Sequence, residues 1–243
     1  LVLNIVKKLN FMTDSKNTPP QTPFKILLIG DSCVDEYKIG TVDRLSPEAP
    51  VPVIKIVDTV QVPGMASNVY MNLVNLNCQM VFITNTETIT KTRYIDKRSG
   101  QHLIRVDDEP KIDSWNGVLD QPWESFDAVV VSDYNKGFLT YRHIEKIIEN
   151  FKGPVFIDTK KTDLARFEGA FVKINSLENS LAKTLPTQTI VTLGKQGCEY
   201  AGQTYSAPQV EVADVCGAGD TFLAALVYRF LETNQIPEAL LFA

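Results

Sequence analysis

The chain is predicted to be an α/β protein with a mainly parallel sheet covered by helices and a smaller accessory sheet beside it. Three observations carry that expectation. Short apolar runs that stop on a polar residue recur along the chain. Segments with helical spacing lie between them, the alternation that builds parallel sheets. In residues 51–62 and 91–106 the pattern changes to alternating polar and apolar residues, as one-sided antiparallel strands require.

Residues 1–23 are set aside as a disordered leader. Leu1–Phe11 has an apolar face but no small-residue cleavage site, and Met12 followed by a polar, proline-ending stretch reads as a start. Lys25–Gly30 is a buried first strand whose end opens onto Asp31. Ala66–Leu76 has helical spacing at Val69, Leu73 and Leu76. Val51–Val62 and Lys91–Val106 supply the accessory strands, the latter folded about the Arg98–Gly100 turn. Ala128–Val131 is a second buried strand ending in Ser132-Asp133. Tyr141–Asn150 is an amphipathic helix with Ile144, Ile147 and Ile148 on one face. Val155–Asp158, Phe171–Ile174 and Ile190–Leu193 repeat the buried-strand pattern.

Composition narrows the function. A formal charge of −5 argues against nucleic acid or an anionic membrane surface as the main partner, while leaving room for a local basic pocket. No apolar stretch approaches the length of a membrane span. Cys33, Cys78, Cys198 and Cys216 show no metal-ligand spacing, and His102 and His143 are the only histidines, so free thiols in a cytoplasmic protein are expected.

The most informative segment is Asp214-Val-Cys-Gly-Ala-Gly-Asp-Thr-Phe222, which runs straight into a helical stretch. Small residues before a helix leave backbone N–H groups unpaired, with the positive end of the helix dipole behind them, a ready anion site. Asp220 inside that cradle is the wrong charge to hold a phosphate. It makes sense there as a base that takes a proton from a hydroxyl during phosphoryl transfer. An ordinary glycine-rich turn capped by an aspartate is the competing reading.

Other segments add candidates. Asp31 and Asp35 near the end of the first strand can accept hydrogen bonds from vicinal hydroxyls, with a turn cap as the alternative for Asp31. Asn175 and Glu178 follow another strand; together they can hold hydrated Mg²⁺ or cap the next helix, and both can be true. Thr192, Gly194 and Gly197 sit where glycines allow backbone to approach a nucleotide, or where a hairpin simply turns. Arg44, Arg105, Lys136 and Lys160 lie near strand ends and are candidates for a phosphate already on the substrate, against the ordinary reading of solvated cations.

Several stretches resemble one family. Asp214–Phe222 is similar to the anion-hole and base motif of the ribokinase-like (PfkB) sugar kinases. Ile29–Asp35, Arg44–Val53, Thr90–Arg93, Leu103–Asp107 and Ser132–Gly137 resemble its D-glycero-D-manno-heptose-7-phosphate kinase branch, often fused to an adenylyltransferase. The resemblance runs from about Phe24 to the last residue, and Arg44–Val53 is its most specific block.

It implies a ribokinase-like three-layer α/β/α sandwich over 24–243, with a β-sheet lid within about 37–63 and 91–107 and a homodimer formed through the lid strands. It implies ATP and Mg²⁺, Asp220 as base, and Gly217, Ala218 and Gly219 as anion hole. Asp35 and Asn68 fall on sugar-binding positions, Asn175 and Glu178 on an N-x-x-E motif beside the metal, and Thr192–Gly197 on the ATP site.

The implied reaction is phosphorylation of the anomeric hydroxyl of a heptose 7-phosphate on the route to ADP-heptose, a lipopolysaccharide precursor. Another sugar or nucleoside, or a non-catalytic kinase-like protein, stays open. Two departures are visible. Met65 stands where the family has the second of two glycines. The chain is also expected to lack one helix-plus-strand unit between Asn85 and Thr90, and the C-terminal end, which predicts low stability and weak ATP affinity.

Overall fold

The computed structural model describes residues 23–207 and 217–243. The expected leader, apart from residue 23, and residues 214–216 of the glycine motif lie outside the described residues.

The main sheet has eight strands, in the order β12-β11-β10-β9-β8-β7-β1-β4. These are β1 (Lys25–Gly30), β4 (Gln79–Thr84), β7 (Ala128–Asp133), β8 (Val155–Thr159), β9 (Phe171–Asn175), β10 (Thr189–Thr192), β11 (Cys198–Tyr200) and β12 (Gln203–Tyr205). The strands from β4 through β10 run parallel, and β11 and β12 fold back antiparallel. Every residue of β7 and β8 is buried, which is why they read as continuous apolar runs rather than alternating ones.

Successive residues of the central strands feed opposite faces. Ile26 and Leu28 pack with Val69 and Leu73 of α1 (Ala66–Asn75) and with Leu223, Leu226 and Val227 of α4 (Ala218–Thr233). Leu27 and Ile29 pack with Ile144 and Ile147 of α2 (Tyr141–Asn150) on the other face. Two apolar clusters separated by one sheet make three α/β/α layers, each buried aliphatic side chain contributing roughly 1.5–3 kcal/mol. Two short helices complete the set, α3 (Ser176–Leu181) and α5 (Ile236–Phe242).

The accessory sheet is larger than expected and has a different pairing. It has the order β3-β2-β5-β6, from β2 (Ser32–Leu45), β3 (Pro52–Met65), β5 (Ile89–Asp96) and β6 (His102–Asp108). The two hairpins are antiparallel, but β2 and β5 pair parallel at the centre. The reason is topological: β1 and β4 are parallel neighbours, and each continues from its C-terminal end into a lid strand, so both leave the body in one direction. As a result Asp35 lies within β2 rather than in a loop after β1.

Only residues 85–88 separate β4 from β5, and β4 is the edge of the main sheet, with no residue of it buried apart from partial cover. The tract 192–197 ends β10 and turns into an antiparallel hairpin with β11, the turn weighed for it.

Candidate active site

The chain leaves β1 toward β4 on one side and later returns to β7 on the other. That reversal opens a crevice at the C-terminal ends of the strands, the usual binding place of such sheets. A cleft of about 620 Å³ lies there, lined among others by Tyr134, Asp158, Lys173, Asn175, Gly217 and Asp220.

Gly217 caps α4 with φ 74°, and no described side chain caps that end, so the first-turn N–H groups have no intrahelical acceptor. Two glycines are needed for packing reasons. A Cβ at Gly217 would stand 2.7 Å from the Asn68 amide, and one at Gly219 would stand 2.9 Å from the Lys173 ammonium.

Asp220 sits in the first turn of α4 and is only 4% exposed. Asn68 Nδ2 donates to its Oδ2 at 2.8 Å, and Tyr134 Oη donates to its Oδ1 at 2.9 Å. Burial pushes its carboxyl up to about 6; the bonds from Asn68 and Tyr134 and the charge of Lys173 pull the other way, while Asp158 adds to the rise. A carboxylate that titrates near neutrality can both accept and release a proton.

Lys173 and Asp158 form a buried pair, Nζ to Oδ2 at 2.6 Å. Burial opposes the ammonium, but the charge and hydrogen bond of Asp158, with the charges of Glu178 and Asp220, together hold Lys173 above the ordinary lysine range. Neither residue was singled out by sequence. A lysine within the short apolar run Phe171–Asn175 is the signal that was available.

Asn175 and Glu178 form a capping box on α3, each side chain bonded to the other's backbone N–H, and Glu178 also pairs with Lys160. Lys160 lies over the Tyr134 ring at 5.3 Å and lines the cleft with Thr192 and Gly194. It therefore shares the cleft with Asn175, Thr192 and Gly194, because β8, which it follows, is next to β9, which ends on Asn175.

On the lid side, Asp35 Oδ1 is 2.5 Å from Arg93 Nη1. A Cβ at Gly64 would collide with the Asp35 carboxylate, so that glycine is what lets β2 and β3 pair over the site. Arg93 was missed as a site residue because an alternating strand gives no sign of which face its charges take.

The other basic candidates are spread out. Arg44 is exposed near the β2–β3 turn, outside the cleft lining. Arg105 lies opposite Arg93 in register and pairs with Asp107. Lys136 pairs with Glu109, which also reaches Lys91 at 3.9 Å where lid meets body. Asp31 is fully buried and accepts from the backbone of Tyr134 and Lys136, the turn cap weighed for it.

Comparison with known proteins decides the family. Residues 142–243 match the model of the pfkB family carbohydrate kinases. The chain is 33% identical to "Bifunctional protein HldE" of Nitratiruptor sp. over 277 residues, covering 90% of this chain and 59% of that protein. This chain belongs to the pfkB carbohydrate kinase family. Carbohydrate kinases are phosphotransferases that act on a sugar hydroxyl. The chain is also 31% identical to the HldE protein of Klebsiella pneumoniae over 90% of its length. It spans about three fifths of the length of these curated relatives. Among solved structures, its fold is similar to ribokinase of Thermotoga maritima, with TM-score 0.62 at 14% identity over 90% of this chain and 89% of that one. It is equally similar to Arabidopsis thaliana ribokinase complexed with ribose and ATP, with TM-score 0.63, 15% identity and the same coverage.

Proposed function

We propose that this PfkB-family chain is an ATP- and Mg²⁺-dependent kinase that phosphorylates the anomeric hydroxyl of a heptose 7-phosphate. The observation that carries the reading is the buried Asp220 carboxylate in the first turn of α4, in the same cleft as Gly217 and Gly219. The solved relative holding ribose and ATP supports a sugar and ATP as the two substrates. The Arg44–Val53 block supports a heptose phosphate as the sugar.

In this reading Asp220 takes the proton of the acceptor hydroxyl as its oxygen bonds to the γ-phosphorus and the bond to the departing ADP breaks. The N–H groups of Gly217, Ala218 and Gly219 face the negative charge of the transferring group, with the helix dipole behind them. Asp35, oriented by Arg93, and Asn68 receive the sugar hydroxyls, and the lid sheet keeps water from the phosphoryl group. Arg105 and Lys136 serve the 7-phosphate.

Asn175, Glu178, Thr192, Gly194 and Gly197 serve the nucleotide, with Lys160 at its phosphates. Both Glu178 oxygens are already engaged, by the Asn175 N–H and by Lys160, which suits contact with Mg²⁺ through water better than direct ligation. Mg²⁺ supplies neutralisation of the phosphate charge.

A cytoplasmic location fits three buried free thiols, Cys33, Cys78 and Cys198. No helix among the described residues is long and apolar enough to cross a membrane. A homodimer through the lid fits the exposed Ile56 and Val57 on β3 and Ile104 and Val106 on β6.

A panel of sugars and sugar phosphates, heptose 7-phosphate included, assayed for acceptor-dependent ADP release tests the proposal. The panel is broad because Met65 narrows a position where glycine is expected. Turnover confined to the heptose phosphate is the expected result, and no release with any acceptor would leave only the fold.

A further inference from the structure

Both oxygens of Asp220 are held by neutral donors from different elements. Asn68 comes from α1, and Tyr134 comes from the turn after β7. Asn68 bonds Oδ2, and an amide can exchange that partner for a substrate hydroxyl at small cost. Tyr134 has no such freedom. Its backbone N–H donates to the fully buried Asp31 at 2.7 Å, its ring lies beneath the Lys160 ammonium, and its phenol ends on Asp220 Oδ1.

We propose that Tyr134 is a positioning residue of the phosphoryl transfer, its phenol holding one oxygen of Asp220 so that the other faces the acceptor hydroxyl. The inference rests on the kinase reading above. The acceptor's proton passes to Oδ2, the acceptor oxygen bonds to the γ-phosphorus, and the bond to the leaving ADP breaks. The phenol proton stays on Tyr134 throughout. Burial and the neighbouring Asp220 charge raise the phenol far above its ordinary range, so it donates at every working pH.

Among the described residues, the other titratable groups facing Asp220 are Asp158 from the end of β8, Lys173 from β9 and Cys33 from β2. Asp158 and Lys173 are paired with each other, so their opposed influences persist when Tyr134 is changed. The Cys33 thiol is pushed up to about 12 by burial and stays neutral.

Tyr134→Phe keeps the ring and removes the donor. The acid limb of kcat, expected near pH 6 in the wild type, should move up by about one pH unit, with KM for ATP unchanged. A uniform fall in kcat with the limb unmoved would make the residue merely structural and overturn the proposal. The Asp220 carboxyl ¹³C signal, assigned with Asp220→Asn and titrated without substrate in wild type and Tyr134→Phe, separates the two claims. If no sugar is turned over but the carboxyl titration moves up in the variant, the kinase reading fails and the phenol's hold on Asp220 stands. An unmoved carboxyl titration overturns the inference whatever the activity, and so does a variant that no longer unfolds cooperatively.

Discussion

Asp220 carries its charge where burial opposes it, and that opposition has two measurable consequences. Turnover that needs the carboxylate as base is lost as pH falls through about 6. Asp220→Asn should lower kcat by roughly 10²–10⁴-fold with little change in KM for ATP. The second consequence concerns stability. The folded-state value, about 6, lies above the ordinary 3.8, so the folded form binds this proton more tightly than the unfolded form does. The group's contribution is therefore most favourable at low pH and is lost as pH rises through about 6. Asp220→Asn removes that loss, so thermal unfolding at pH 8 should show the inactive variant more stable by about 3 kcal/mol, and at pH 4 nearly as stable as wild type. Greater stability at both pH values would mean that the carboxylate is not strained by burial.

Met65 is the residue at which element geometry and residue preference disagree most. It links β3 to α1 with φ 55° and ψ −134°, a region that glycine occupies without penalty, yet its side chain is buried beside Cys33 and Ile89. The strained backbone costs about 1–3 kcal/mol, and deleting a buried methionine costs about 2–5 kcal/mol. Met65→Gly should thus destabilise by only about 1–2 kcal/mol in urea unfolding, well below Leu73→Ala at about 2–5 kcal/mol. Equal losses would show that the backbone there is unstrained.

At this scale the sequence was most legible where one period dominated. The buried runs at Lys25–Gly30 and Ala128–Asp133 and the amphipathic Tyr141–Asn150 stand where their patterns put them. The parallel pairing of β2 with β5 was hidden, because alternation says which face is buried but not which way the neighbouring strand runs. Glycine spacing pointed to the Asp220 cradle. Tyr134, Arg93 and Lys173 were not legible as partners, since contacts across 86, 58 and 15 residues depend on the sheet order.

Over the whole molecule, the cleft joins residues from β8, β9, β10, α3, α4 and the turn after β7. A binding site assembled from so many elements should tie ligand occupancy to global stability. Mg·ATP at a hundred times its Kd should stabilise the chain by about 2.7 kcal/mol, read as a rise in Tm. The edge position of β4 leaves Val81 and Ile83 only partly covered, which fits the low stability expected without ligand.

Acceptor-dependent ADP release from Mg·ATP, measured on wild type and Asp220→Asn side by side, tests Asp220 as the base most directly. The expected result is turnover by the wild type with heptose 7-phosphate and loss of at least a hundredfold in the variant. Comparable rates from both proteins would contradict it.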